Sequence, residues 1–252
     1  MTASATLDDL TSVRSDLAPS GTLRAAINFG NPVLAQKDSE TGEPRGVSVV
    51  LATELARRLG VPVAFTTFEA AGKAFAALKA NEVDIAFLAL EPERAADVVF
   101  TAPYVVIEGT YLVRDDSPLK VIDDFDQPGI RIAVGLNAAY DLFLTRTLKN
   151  AELVRAPTSS GAVDLFLSEG LEAAAGVRQP LEDHARAQDR LRVVAGRFTS
   201  INQAMCMTPG RSAGLRYLAA FVEDAKASGL VSVGLVQSGQ DGGLVAPRSD
   251  TR

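Results

Sequence analysis

The chain has 252 residues, 47% of them apolar, and a formal net charge of −6, which is enough apolar material for one large domain or two small lobes. Its Lys and Arg are dispersed and aromatics make up only 6%, which argues against a nucleic-acid or anionic-membrane surface and leaves a small solute or a protein partner. A single cysteine, Cys206, and a single histidine, His184, rule out an internal disulfide and a Cys/His cluster, so both read as structural and no metal or cofactor is expected.

No stretch approaches the roughly 18 continuous apolar residues of a membrane span. Residues 1–20 contain Asp8, Asp9 and Asp16 and have neither a basic start nor an apolar middle, so they read as a polar lead, not a secretory signal. With Met1 in front, the expectation is a cytoplasmic protein, or a periplasmic one if a signal was removed before numbering. Leu23 to Ile27 reads as a first strand, and Asn28-Phe29-Gly30-Asn31-Pro32 as a turn-rich loop at its carboxyl end, where Asn28 and Asn31 can line a site. Val47, Val50, Leu51, Glu54, Leu55, Arg58 and Leu59 recur at helical spacing, with Gly60 closing the helix and Val61 to Phe65 as the next strand. Lys73 to Lys79 as helix and Val83 to Leu88 as strand repeat the pattern, which gives a parallel-type sheet layered by helices.

Ile85 to Leu90 is an unbroken apolar run, short enough for a strand buried on both faces, and it stops at Glu91-Pro92. Arg94 follows just beyond, at the edge where open α/β sheets bind ligands, and its planar charged fork suits a carboxylate. The alternative is a helix-start arginine paired on the surface with Glu91 or Asp97.

Tyr104 to Val113 is β-branched and aromatic, and reads as a strand crossing to a second lobe. That lobe repeats the order: strand Arg131 to Val134, helix Ala138 to Leu148, strand Leu153 to Val154, helix Ala162 to Leu167, strand Ala173 to Val177, then a polar helix from Leu181 to Arg190. Ile201 to Met207 reads as the strand back, and Leu215 to Ala227 as a last helix stopped at Gly229. The final dozen residues, with Gly239, Gly242, Gly243 and Pro247, read as a disordered tail. The expected division is lobe one from 20–110 plus 201–238, lobe two from 111–200, and tails at 1–19 and 239–252. The halves share an order of elements but no repeated motif.

The stretch from Asp84 to Tyr104 also carries a resemblance, in its strand, its Pro92-Glu93-Arg94 and its Phe100-Thr101-Ala102-Pro103-Tyr104 ending. Gly21-Thr22-Leu23-Arg24, Gly46-Val47-Ser48 leading to Leu59-Gly60-Val61, Ala77-Leu78 and Arg131-Ile132-Ala133-Val134 extend it across residues 20–238. The series resembles the family 3 bacterial extracellular solute-binding proteins, which deliver amino acids to ABC transporters. The resemblance implies an α/β, periplasmic-binding-protein type 2-like fold with two lobes and two crossover hinge strands. It implies a monomer that closes on a small polar solute and docks on a transporter's membrane subunits.

Several further residues are candidates for the site. Asn137-Ala138-Ala139-Tyr140 opens a helix directly after a buried strand, where free backbone amides and the helix dipole favour an anion; the other reading is an ordinary Asn N-cap. The resemblance places hydroxyls before the arginine and carboxylates on both lobes for a ligand ammonium. At those positions this chain has Phe87, Leu88 and Ala89, then Asn28, then Val177 beside Arg178. The ammonium clamp is mostly missing, which points away from an ordinary α-amino acid. Arg178 and Gln179 either meet a second acidic group or form a surface pair before Pro180. Glu108 on the crossover either holds a cation or pairs with a hinge residue. Lys73 and Tyr104 are weaker candidates, as a solvated helix residue and a core aromatic.

No Gly-rich phosphate loop, Gly-x-Ser-x-Gly elbow, CxxC or His-Glu-x-x-His is present, so an enzyme is not expected. The alternatives to a transport receptor are a cyclohexadienyl-dehydratase-like enzyme on the same fold, an intracellular small-molecule sensor, and an interaction module with an empty cleft.

Overall fold

The computed structural model describes residues 7–249. The first half holds α1 (Leu7–Leu17), β1 (Leu23–Asn28), a small hairpin of β2 (Gln36–Lys37) and β3 (Pro44–Arg45), α2 (Val47–Leu59), β4 (Val63–Phe68), α3 (Ala71–Lys79), β5 (Ile85–Ala89) and α4 (Pro92–Ala95). After the long β6 (Val99–Arg114) come β7 (Arg131–Gly135), α5 (Ala139–Thr147), β8 (Glu152–Ala156), α6 (Ser159–Ser168), β9 (Ala173–Val177), α7 (Arg178–Ala187) and β10 (Leu191–Val193). The chain returns through β11 (Thr199–Met207) and ends with α8 (Ser212–Ala227) and α9 (Leu230–Gln237).

The strands lie in the order β4-β1-β5-β11-β6-β9-β7-β8, with β10 added to β6. β4, β1 and β5 are parallel, as are β8, β7 and β9, and each trio belongs to one lobe. β6 and β11 lie antiparallel between the trios. β6 pairs with β11 as far as Gly109 and with β9 from Gly109 onward, so it passes from one lobe to the other as a hinge strand.

The local reasons are conventional ones. The core side of α2 is Val47, Leu51, Leu55 and Leu59, spaced at one helical face. Gly60 ends it with φ 64, a left-handed conformation that costs glycine no Cβ clash. All five residues of β5 are buried, as the unbroken apolar run requires. Each lobe also ties its first strand to its third in the same way. Arg24 on β1 and Arg131 on β7 give backbone amide and guanidinium together to Asp84 before β5 and Glu172 before β9, at 2.7–3.1 Å and 2.8–3.0 Å. No described helix is long and apolar enough to cross a membrane.

Both expected tails are largely structured where they are described. Residues 7–17 form α1, whose Val13 and Leu17 are buried. Arg14 Nε donates to the Leu59 carbonyl at 2.5 Å, and Asp16 Oδ2 accepts from the Gly214 amide at 2.9 Å, which pins α1 between α2 and α8. At the other end Val245 bridges to Val105, the Ala246 amide donates to Tyr104 at 3.0 Å, and Lys226 Nζ donates to the carbonyls of Pro103 and Pro247. Residues 1–6 and 250–252 lie outside the described residues.

Candidate functional site

The carboxyl ends of β1, β5 and β9 and the start of α5 open on one cleft between the lobes. It holds a partly open cavity of about 180 Å³. Of the residues expected at a site, Asn28, Asn31, Phe87, Leu88, Ala89, Arg94, Ala138, Ala139 and Tyr140 line it. Asn137, Arg178 and Glu108 do not.

Arg94 is only 3% exposed. Its Nη1 donates to the Ala89 carbonyl at 3.1 Å and its Nη2 to the Asn137 carbonyl on the other lobe at 2.8 Å. The surface pairing is not formed: Glu91 pairs with Arg146 at 2.8 Å and Asp97 with Lys79 at 2.6 Å. No described carboxylate lies within ion-pair distance of Arg94, and burial pushes its pKa below the usual arginine value. A cation taken out of water this far needs a counter-charge to offset its desolvation.

Asn137 sits in the left-handed region, φ 59. The anion position expected at its amide is filled from within the chain, since that N–H donates to Asp141 Oδ2 at 2.8 Å. Nor is it the N-cap; α5 starts at Ala139 with Ala138 before it. Asp141 is buried and also accepts from Arg155 Nε at 3.0 Å. Asn137 thereby contributes a fixed carbonyl to Arg94. Nearby, Tyr140 Oη donates to Ser159 Oγ at 2.9 Å, and burial raises the tyrosine pKa.

Arg178 and Glu108 meet each other away from the cavity. Arg178 Nε donates to Glu108 Oε2 and Arg197 Nη1 to Glu108 Oε1, both at 2.7 Å, and Arg178 also donates to the Gly196 carbonyl. The Arg178 bond, with Arg197 assisting, holds the Glu108 carboxyl below its ordinary range. This charge cluster ties β6 to α7 and to the segment just before β11. Lys73 is exposed outside the cavity, and Gln179 lies outside it too. Tyr104 is fully buried, its Oη 3.4 Å from Ser48 Oγ and its ring edge-on to Phe87.

The cavity also takes residues that were not named singly as site candidates, among them His184, which reads as structural in the sequence. From the first lobe come Phe29, Gly30 and Glu69; from the second come Ser159, Ser160, Val163, Leu181 and His184; Ile201 and Gln203 come from β11. Glu69 is the one carboxylate among the lining residues, and it is exposed. Among the described residues, no group of three His, Cys, Asp or Glu is placed to hold a metal ion.

The model of the bacterial extracellular solute-binding proteins, family 3, matches residues 23–233. The chain belongs to that family. A comparison with curated protein sequences gave no match. Among solved structures, this family 3 protein is similar to the solute receptor for L-cysteine of Neisseria gonorrhoeae, with TM-score 0.78 and 20% identity over 91% of this chain and 92% of the other. It is similar to AbpA of Streptococcus pneumoniae, an amino acid ABC transporter substrate-binding protein bound to L-arginine, with TM-score 0.76 and 16% identity over 88% and 96%. A third is the ancestral amino acid-binding protein AncCDT-1, a precursor of cyclohexadienyl dehydratase, with TM-score 0.74 and 24% identity over 93% and 98%. At these identities the likeness is one of fold, and the family 3 protein's own cleft must supply the chemistry.

Proposed function

We infer that this family 3 protein is a receptor that closes around a small carboxylate-bearing solute, with Arg94 as its anchor, and passes it to the membrane subunits of an ABC transporter. One observation carries the reading: Arg94 lines the cavity, 3% exposed, and forms no ion pair with any described carboxylate, although Glu91 and Glu93 lie near enough to oppose the effect of its burial. A ligand carboxylate supplies the missing charge through a two-point, charge-assisted contact. Similar solved structures are a solute receptor for L-cysteine and an amino acid ABC transporter substrate-binding protein bound to L-arginine, which supports a ligand of amino-acid size. Here Asn28 and Val177 in the lining are neutral, and the exposed Glu69 is the single acid. An ammonium inside the cavity would therefore sit without a buried counter-charge and near a guanidinium. The acid without its amino group is the better fit.

A thermal-shift screen tests this, with α-amino acids set against the same carbon skeletons lacking the amino group. Saturation at a hundred times the dissociation constant stabilises by about 2.7 kcal/mol. The amino-free acids are expected to raise the melting temperature more, and Arg94→Ala to remove the shift. A screen in which carboxylates give no shift, or in which the shift survives Arg94→Ala, overturns the reading.

A further inference from the structure

Two buried residues of the cavity wall that holds Arg94 carry polar side chains the chain itself leaves unused. Asn31 is 8% exposed and its Oδ1 has no hydrogen-bond partner. Gln203 is 5% exposed, and its side chain makes no hydrogen bond with any described residue. Both line the cavity. Gln203 also sits close to the anchor: it is the β11 partner of Ala89, whose carbonyl accepts from Arg94 Nη1 at 3.1 Å. Asn28, in the same wall, uses its Oδ1 on the Gly30 amide at 3.0 Å, which leaves its Nδ2 for the cavity.

A buried amide oxygen without a partner, as at Asn31, is costly, so in a native fold it points to a group that arrives with the ligand, and the unbonded Gln203 amide in the same cavity is free to meet that group too. The chemistry of that group follows from theirs. An amide carries acceptor and donor in one plane. A hydroxyl matches both, because it donates to Oδ1 and accepts from Nδ2 or Nε2. An ammonium only donates, and it brings a charge that Asn28, Asn31 and Gln203 do not neutralise beside a buried guanidinium. A bare methylene leaves both amides unsatisfied.

We propose that Asn31 and Gln203, assisted by Asn28, form a hydroxyl-reading subsite, so the preferred solutes are hydroxycarboxylic acids whose hydroxyl lies near the carboxylate held by Arg94. The proposal rests on the carboxylate-receptor reading above and names the solute class within it. It also divides the labour of the first lobe. Arg94 supplies the charge, and the amides distinguish among acids that share it.

The test is calorimetric titration of the full chain with matched triplets: propionate, lactate and alanine; butyrate, 2-hydroxybutyrate and 2-aminobutyrate; glutarate, 2-hydroxyglutarate and glutamate. One satisfied pair of buried hydrogen bonds predicts that the best hydroxy acid binds about 10-fold or more tightly than its deoxy partner. It should bind more tightly than its amino partner too. In Asn31→Ala and in the near-isosteric Gln203→Met, the hydroxy-to-deoxy ratio falls toward one, with unfolding curves confirming that each variant is folded. Equal affinity for hydroxy and deoxy acids, or a ratio unchanged in both variants, overturns the subsite and leaves the carboxylate reading standing. Tightest binding by the amino acids overturns the subsite and the preference for amino-free acids together. Binding of no carboxylate at all overturns the receptor reading on which the subsite depends.

Discussion

As the proposed anchor, Arg94 places the ligand contact in one side chain, and that side chain is a burden when the cavity holds no anion. Its two hydrogen bonds go to carbonyls, which satisfy N–H groups but do not neutralise charge. Replacing a buried, unpaired charge by an apolar chain of similar length removes a penalty of several kcal/mol and loses two charged hydrogen bonds of about 1.5–3 kcal/mol each, so the terms nearly cancel. The expected result for Arg94→Met is a ligand-free melting temperature at or above that of the parent, together with loss of ligand stabilisation. A variant that melts far lower without ligand would show that Arg94 holds the lobes together as a structural residue first. Asn137 is a second point at this scale. Its left-handed backbone, fixed by Asp141, aims the carbonyl that Arg94 meets.

At the scale of elements, the approach of α6 to the end of β7 depends on one missing side chain. A Cβ on Gly135 would lie 2.8 Å from Tyr140 Oη and 2.9 Å from Ser159 Cα, and the backbone of Ser159 cannot yield as a flexible side-chain tip would. Gly135→Ala is therefore expected to destabilise by about 1–3 kcal/mol through overpacking, and to weaken binding by displacing Ser159 from the cavity wall. Denaturant unfolding checks the first effect and titration the second. On the other lobe, Glu54 joins α2 to its own last turn and, through Arg58, to Asp224 of α8. Arg57 and Arg58 hold its carboxyl down to about 2 from 4.5. A depressed acid stabilises the fold above its unfolded value and loses that contribution as pH falls through the folded one. Between pH 4.5 and about 2 the parent should lose melting temperature faster than Glu54→Gln; parallel curves would remove Glu54 from the acid response.

The same elements show what the sequence made legible. Helix α2 declared itself by a one-sided stripe and a terminal glycine, and β5 by an apolar run ended at a proline, because both signals are local. Helix α9 was missed because its apolar residues run round the whole circumference, leaving Val233 and Val236 exposed at 49% and 60%. Helix α1 and the last described residues looked like tails because their partners, such as Gly214 for Asp16 and Lys226 for Pro247, are distant in sequence or not apolar. For the site, positions at strand ends were readable. Gln203, Ser159 and His184 were not, since they reach the cavity from β11, α6 and α7. A lone histidine on a polar helix gives no local sign of a cleft. Arg178 was left between a second acidic group and a surface pair before Pro180, because its actual partner Glu108 is 70 residues away.

At the scale of the whole molecule, contacts bridge the two lobes across the cleft. Besides the bond from Arg94 to Asn137, Arg146 on α5 lies 2.8 Å from Glu91 and 3.2 Å from Glu93, which belong to the lobe of β5. Glu91 is 6% exposed, and burial raises its pKa although Arg146 opposes the shift. Opening the cleft returns Glu91 to water, where an unpaired carboxylate costs little; closing without Arg146 buries it uncompensated. Arg146→Ala should therefore disfavour the closed form in particular, and ligands bind in proportion to the closed population. The expected outcome is weaker binding by about 3- to 10-fold, carried by faster dissociation and not slower association. The parent's affinity should also fall with added salt more steeply than the variant's. Adding Glu91→Gln to Arg146→Ala should recover part of the loss, because a neutral amide closes at lower cost than a stranded carboxylate. If stopped-flow dissociation is the same in all three proteins, the pair is surface decoration and closure is driven by the Arg94 contacts alone.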